Sequence, residues 1–525
     1  MSFQKAVEAL KRRDFPAARD IIARASAATY GVNHFLVRGL AELALKEWDA
    51  ALATFAAATK RFPDNALFWL NRGIAEENLF LLEAAIASQE RCLTLNPAQA
   101  EACGNLSNLY RHKLRFAEAE AMARRALAGG AAKGDALNCL GLALCRQGKF
   151  DEARKTFIQA HEADPDHAAA FVNHANLEVE VFDFEAAWNL FAAARALDDQ
   201  PVFRHDEALA RLLAGDFERG WELFESRLEM PRALRLHPPC PRWKGEDLGG
   251  KKLLIIAEQG FGDVIQFCRY QEFLTEGELV WAVPKSLIRL LTPVVHGAVL
   301  DERGPLPECD YYVPILSLAL RTGKNRRDSL SPLLGGEGWG EGGLEEYTPA
   351  SNAPLAPKRR TTPSALHLPT GKHQRKIGLV WAGSPTHLRD HERSIPLQLF
   401  APFLSAVEAD FYAPFSGAAL KQIDDLPVTP LDSLINDFAD TAALLRQLDC
   451  LVTVDTAAAH LAGSLGIKTF VLLPRSPDWR WGVAGDKTIW YPSLTLLRQP
   501  TNGDWQSVIG DLTTLVLADI NRACS

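Results

Sequence analysis

One register repeats through the first 228 residues of the chain. An aromatic residue or leucine recurs at Phe15, Trp48, Leu81, Phe116, Phe150, Phe184 and Phe217, at intervals of 33, 33, 35, 34, 34 and 33 residues. Three residues after each stands a small side chain (Ala18, Ala51, Ala84, Ala119, Ala153, Ala187, Gly220), and seven after it Ile22, Phe55, Ser88, Ala123, Phe157, Phe191 and Phe224. These spacings keep the positions on one helix face, where small residues let a neighbouring helix approach closely. Pro63, Pro97 and Pro165 fall where the second helix of a pair must stop, because proline lacks an N–H and clashes with the preceding turn. A plain helical bundle has no reason to hold one register over six intervals. Residues 1–228 therefore read as about seven helical hairpins stacked into an α-solenoid, each burying its apolar face only against its neighbours.

The period and pattern resemble the tetratricopeptide repeat (TPR). Such an array curls into a concave groove that holds an extended peptide or protein segment, so this part is expected to bind rather than to catalyse. Asn71, Asn105, Asn138 and Asn173 fall on the helix expected to line the groove.

Residues 229–250 are rich in Pro and Gly and read as a linker. Beyond them the pattern changes to short apolar runs followed by polar turns. Residues 252–257, 278–283 and 310–315 read as strands of a first Rossmann-like half, residues 251–321. Residues 322–375 are dense in Gly, Pro, Ser and Lys/Arg, have no hydrophobic period and are expected to be a disordered insertion. Residues 376–525 form a second Rossmann-like half with strands at 376–382, 411–415, 450–454 and 469–473 and a C-terminal helix. The fold class is thus α plus α/β, a solenoid followed by two α/β halves.

Three turns carry chemistry. After the strand at 252–257 comes Glu258-Gln259-Gly260-Phe261-Gly262-Asp263, which places Asp263 in the first turn of a helix at the mouth of a sheet. A dinucleotide fingerprint needs a third glycine where Ile265 stands, and the loop lacks the GK[ST] ending of a P-loop, so neither an oxidoreductase nor an NTPase is supported. After the strand at 376–382, Gly383 and Ser384 turn off the sheet toward Arg393 and Ser394, a plausible diphosphate cradle. After the strand at 450–454, Asp455 and Thr456 open an Ala-rich helix whose free N–H groups suit an anion; either can cap it, and His460 follows one turn in. The formal charge of −8 and the lack of a basic block make nucleic acid a poor partner. The nine cysteines form no CxxC pair and read as small buried hydrophobes of a reducing cytoplasm. No apolar run reaches membrane-spanning length.

The order of these motifs, with Pro477-Asp478-Trp479-Arg480-Trp481 after the strand at 469–473, resembles GT-B glycosyltransferases of the heptosyltransferase type (family 9) joined to a TPR array, an arrangement similar to O-GlcNAc transferases. The resemblance implies a cytoplasmic, inverting, metal-independent enzyme that takes no cofactor and uses a nucleotide-sugar as co-substrate. It implies Asp263 as catalytic base and Asp455, Thr456, Ala457 and His460 as donor contacts, beside Gly383, Ser384, Arg393 and Ser394. The acceptor is expected to be a protein held by the TPR groove, flagellin being one that this arrangement suggests. A lipopolysaccharide-type acceptor stays open. The alternative is a TPR scaffold whose transferase half has lost turnover.

Overall fold

The computed structural model describes residues 2–24, 30–231, 234–274, 276–323, 366–387 and 389–524. The chain divides into two compact units, Met1–Phe203 and Arg204–Ser525.

The helical hairpins are α1 (Ser2–Lys11) with α2 (Phe15–Ala23), α3 (Val32–Ala44) with α4 (Trp48–Arg61), α5 (Ala66–Asn78) with α6 (Leu82–Leu95), and α7 (Ala100–His112) with α8 (Phe116–Ala128). They continue as α9 (Lys133–Cys145) with α10 (Phe150–Ala163), α11 (Ala168–Glu180) with α12 (Phe184–Leu197), and α13 (Pro201–Ala214) with α14 (Phe217–Phe224). The N-terminal region is thus a TPR solenoid of about fourteen helices. Within each pair the chain reverses at one residue in the left-handed region: Arg13, Lys46, Phe80, Leu114, Gly148, Phe182 and Gly215, at φ between 59° and 84°. These turn residues are 33 or 34 apart, and the second helix starts two residues later. In the third unit that start is Leu82, so the register expected at Leu81 shifts by one: Ala85 and Gln89 are the buried pair, and Ala84 is exposed. The Phe80-Leu81-Leu82 run is apolar throughout, which is why the pattern did not mark the boundary.

The hairpins close by knob-and-socket contacts. A Cβ on Gly39 would lie 2.3 Å from Phe55, one on Gly73 2.5 Å from Gln89, and one on Gly141 2.7 Å from Phe157. The first helix gives up its side chain so that the second can insert a large one. Buried carboxylates tie the same pairs. Glu42 accepts from Arg38 Nε at 2.7 Å and Thr54 Oγ1 at 2.6 Å; Glu76 accepts from Arg72 Nε at 2.8 Å and Ser88 Oγ at 2.6 Å. Removing the arginine would leave the buried glutamate without its counterion.

In the second unit two wholly parallel sheets follow. The first contains β1 (Lys252–Ile256), β2 (Glu278–Val283), β3 (Ala298–Asp301) and β4 (Tyr311–Pro314) in the order β3-β2-β1-β4. Its helices are α15 (Phe261–Phe267), α16 (Lys285–Leu291) and α17 (Leu318–Arg321). The second contains β5 (Lys376–Val380), β6 (Asp410–Ala413), β7 (Val428–Pro430), β8 (Cys450–Val454), β9 (Thr469–Leu473) and β10 (Leu494–Arg498) in the order β10-β9-β8-β5-β6-β7. Its helices are α18 (Asp390–Arg393), α19 (Ala401–Ala406), α20 (Phe438–Leu445), α21 (Ala457–Ser464) and α22 (Trp505–Cys524). Chain order reverses between β5 and β8, so the carboxyl ends of those two strands open the crevice where doubly wound sheets take ligands. β1 and β4 make the equivalent reversal in the first sheet.

Two stretches differ from the sequence reading. The linker is laid along β4, with Trp243 N donating to Tyr312 O at 2.8 Å and Tyr312 N donating to Pro241 O at 3.0 Å. Cys240 and Cys309 are joined there by a disulfide, Cα to Cα 6.2 Å, which corrects the expectation that every cysteine is a free thiol. Of the stretch read as an insertion, residues 324–365 lie outside the described residues, whereas 366–375 are pinned: Gln447 Nε2 donates to Leu366 O at 2.7 Å, and Asp410 accepts from Lys372 N at 2.9 Å and His373 N at 3.0 Å. No described helix is long and apolar enough to cross a membrane.

Gly141→Val should clash with Phe157 and lower the urea midpoint of the helical signal, at a cost of about 1–3 kcal/mol. Alkylation of the denatured chain without reductant should spare Cys240 and Cys309 and modify the six described free cysteines; modification of Cys240 and Cys309 would contradict the pairing.

Candidate functional site

The turn after β1 is fixed by charge before it can serve as a site. Glu258 is buried and takes Arg227 in a two-pronged pair, Nε to Oε2 at 3.0 Å and Nη2 to Oε1 at 2.8 Å, while Leu316 N donates to Oε1 at 3.0 Å. Arg227 also donates to Ser317 Oγ at 2.9 Å and Glu225 Oε1 at 3.0 Å, and Arg321 pairs with Glu225. Glu258 is therefore structural. The reversal itself falls on Gln259, at φ 57°, and not on a glycine. Gly260 is extended and caps α15; Gly262 is needed for room, because a Cβ there would lie 2.8 Å from His460 Cδ2. Through that gap α15 and α21 touch, with Ala457 Cα 3.6 Å from the same position. A second tie joins the two sheets. Arg289 of α16 pairs with Asp437 at 2.7 Å and with Asp440, ahead of and within α20.

Asp263 is held from both sides. Its Oδ2 accepts from Gly260 N at 2.8 Å and its Oδ1 is ion-paired to Arg480 Nη2. Arg480 in turn is fixed by Asp478 Oδ1 at Nη1, 2.8 Å, and by Gln266 Oε1 at Nε, 2.8 Å, so all three ends of the guanidinium are occupied. Its side chain is 10% exposed and that of Asp263 13%. Burial pushes the Asp263 carboxyl up, and Arg480 pulls it back.

The turn after β8 contributes the other residues. Thr456 caps α21, accepting from Ala458 N at 3.3 Å, which leaves Asp455 free of capping duty. Burial and the neighbouring Asp478 push the Asp455 carboxyl up to about 6, against Arg393 and Arg480. Burial and the adjacent Arg480 push His460 down to about 3, so at neutral pH it is an uncharged imidazole and binds through a neutral hydrogen bond, not as a cation. Its Nδ1 lies 3.0 Å from Tyr491 Oη, and its ring stacks on Trp481 with centroids 5.3 Å apart. Gly463 makes this possible, because a Cβ there would sit 2.5 Å from the Tyr491 ring.

The loop after β5 closes the arrangement. Gly383 N donates to Ser394 Oγ at 3.0 Å, and a Cβ on Gly383 would lie 2.6 Å from Arg393 Nη2, so only glycine admits that arginine. Arg393 Nε donates to Asp390 Oδ1 at 3.2 Å; Ser384 Oγ lies 2.8 Å from Thr386 Oγ1; Arg389 Nη2 donates to Ser476 O at 3.0 Å. Asp263, Asp455, Thr456, Ala457 and His460 thus gather at the carboxyl edges of β1 and β8, with Arg393 close enough to act on Asp455 and with Gly383, Ser384 and Ser394 on the adjoining loop. Asp478 and Arg480, which link these groups, carry no role of their own in the sequence reading; their signal is the Asp478-Trp479-Arg480-Trp481 run after a buried strand. Trp479 and Trp481 are buried. Trp479 packs edge-on to Trp221 of α14, which also meets Phe267 of α15.

Residues 36–100 and 134–167 match tetratricopeptide-repeat family models. Protein FlbA of Caulobacter vibrioides is 24% identical over 497 residues, spanning 89% of this chain and 81% of FlbA. A tetratricopeptide repeat protein from Parabacteroides merdae is 17% identical, with a TM-score of 0.39 over 44% of this chain and 91% of that one. YrrB, a TPR protein with an unusual peptide-binding site, is 21% identical, with a TM-score of 0.26 over 33% of this chain and 91% of its own. MamA is likewise 21% identical, with a TM-score of 0.28 over 31% and 96%.

A carboxyl whose folded pKa lies above its unfolded value binds its proton more tightly in the native state. For Asp455 stability therefore falls as pH rises from about 4 to about 6, and the full penalty applies above that. Asp455→Asn should stabilise the fold at pH 7.5 by on the order of 3 kcal/mol, read as a higher melting temperature, and the gain should vanish at pH 3.5. A gain independent of pH would contradict the assignment.

Proposed function

We propose that the second unit is a glycosyltransferase whose two parallel sheets form a GT-B pair of the heptosyltransferase type, and that the TPR array binds its protein acceptor. The observation that carries this reading is the convergence of Asp263 from β1 with Asp455, Thr456 and His460 from β8, joined through Arg480. Two parallel sheets bring their carboxyl edges, each a natural ligand mouth, to one place. The nucleotide-sugar diphosphate lies on the N–H groups that open α21, with Arg393 as counterion. Asp455, with its raised affinity for a proton, and the neutral His460 hydrogen-bond the donor's hydroxyls. The acceptor hydroxyl gives its proton to Asp263 as its oxygen attacks the anomeric carbon. The bond from that carbon to the phosphate oxygen breaks, and its electron pair leaves with the nucleoside diphosphate. One displacement inverts the anomeric centre.

The second reading, a TPR scaffold with a silent transferase half, draws on a different observation. Asp263 and His460 are both engaged, with Arg480 and with Tyr491.

UDP-N-acetylglucosamine, ADP-glucose and GDP-mannose separate the two in a melting assay. On the transferase reading at least one raises the midpoint by mass action, and Thr456→Pro, which disturbs the opening of α21, removes the shift. Asp263→Asn should keep the shift while slowing nucleoside diphosphate release about 10²-fold or more. Absence of any shift at millimolar donor would favour the scaffold.

A further inference from the structure

Arg480 is ion-paired to the catalytic candidate Asp263 and is itself fixed by other groups. Its guanidinium comes from the loop after β9, crosses to α15, and is spent on three partners: Gln266, Asp478 and Asp263. Asp478 is doubly committed, since its Oδ1 also accepts from Arg480 N at 3.1 Å, which fixes the start of the arginine side chain as well as its end. Trp479 packs beneath the guanidinium, 4.3 Å from ring centroid to Cζ, and Trp490 Nε1 donates to Arg480 O at 2.9 Å. A side chain held at both ends, on a backbone that is itself bonded, has one position. The groups facing Asp263 are then Arg480 and Asp478 from the loop after β9 and the Gly260 N–H of its own turn. His460 of α21 lies against the adjacent Gly262, and Asp455 at the end of β8 acts on Arg480.

We propose that Arg480 is a positioning residue for the reaction: a rigid counterion, preset by Asp478 and Gln266, that orients the Asp263 carboxylate and keeps it ionised in a desolvated place. The inference rests on the transferase reading for its role in turnover, but not for the coupling itself. A buried carboxylate without a counterion takes up a proton, and a protonated Asp263 cannot accept the acceptor's proton. The pair resolves two opposed needs. The base must be shielded from water and yet charged, and a cation locked elsewhere supplies the charge balance without moving into the reaction.

Two measurements on the full chain test this. The first is a stability cycle that needs no ligand. Arg480→Met should lower the melting midpoint by several degrees at pH 7.5 and by much less at pH 4.5, where the orphaned Asp263 can be protonated. Asp263→Asn added to Arg480→Met should restore part of the loss, the remainder belonging to Asp478, which loses the same partner. Additive losses at both pH values would overturn the coupling. The second is the pH profile of nucleoside diphosphate release from whichever of the three donors shifts the wild-type midpoint. Arg480→Met should move the acidic limb upward by a unit or more, so that activity lost at neutral pH returns at pH 9, and Arg480→Lys should move it back toward wild type. A uniform loss with an unmoved limb would overturn the positioning role. If the stability cycle shows coupling while the wild type releases no nucleotide at any pH, the counterion role stands and the transferase reading fails.

Discussion

Burying a charge without its counterion costs several kcal/mol, and the second unit is built around places where this rule is obeyed in chains. Glu258 at the end of β1 is matched by Arg227; Arg227 is matched again by Glu225, and Glu225 by Arg321. One turn later Asp263 is matched by Arg480, and Arg480 by Asp478. The links come from the turn after β1, the 3-10 turn after α14 (Glu225–Glu229), α17 and the loop after β9, so they hold if all four are in place. The turn carrying Gln259, Gly260 and Gly262 hangs between the two chains of charge. Its left-handed Gln259 is a costly backbone state that persists because both sides are pinned.

The α/β strands and the solenoid were legible in different degrees. Strands β1, β2, β5, β8 and β9 are continuous apolar runs buried on both faces and announce themselves. β3, β7 and β10 do not: Ala298–Asp301 is only half-buried, Val428–Pro430 is three residues ending in proline, and Leu494–Arg498 follows a tryptophan-rich stretch that reads as loop. In the solenoid the period was plain, and the register slipped only where Phe80, Leu81 and Leu82 offered three apolar choices in a row. The left-handed turn residue decides among them, and backbone conformation is not written in hydrophobicity.

At the site, strand-turn-helix chemistry pointed to Asp263, Asp455, Thr456 and His460, because each lies where a parallel strand hands over to a helix. It could not point to Arg480 or Gln266, which are 214 residues apart, nor to Tyr491, 31 residues beyond His460. The first contact exists because two sheets meet and the second because the chain between β9 and β10 folds back on α21, and local pattern holds no record of either. The disulfide escaped for the same reason, its cysteines being 69 residues apart and unpaired by any motif. The two glycines of the turn do not bend the chain, since the reversal falls on Gln259. One caps a helix and the other makes space for an imidazole.

The left-handed residue between the helices of every hairpin has a further consequence. Because Arg13, Lys46, Phe80, Leu114, Gly148, Phe182 and Gly215 all reverse the chain in the same way, and the second helix always begins two residues later, the turns inside the hairpins are interchangeable. A gene segment encoding about 34 residues can therefore be duplicated or lost in phase, lengthening or shortening the array by one whole hairpin while each remaining joint keeps its geometry. The reach of such a protein toward its partners is thus a quantity that evolves in steps, and the smallest step is one hairpin.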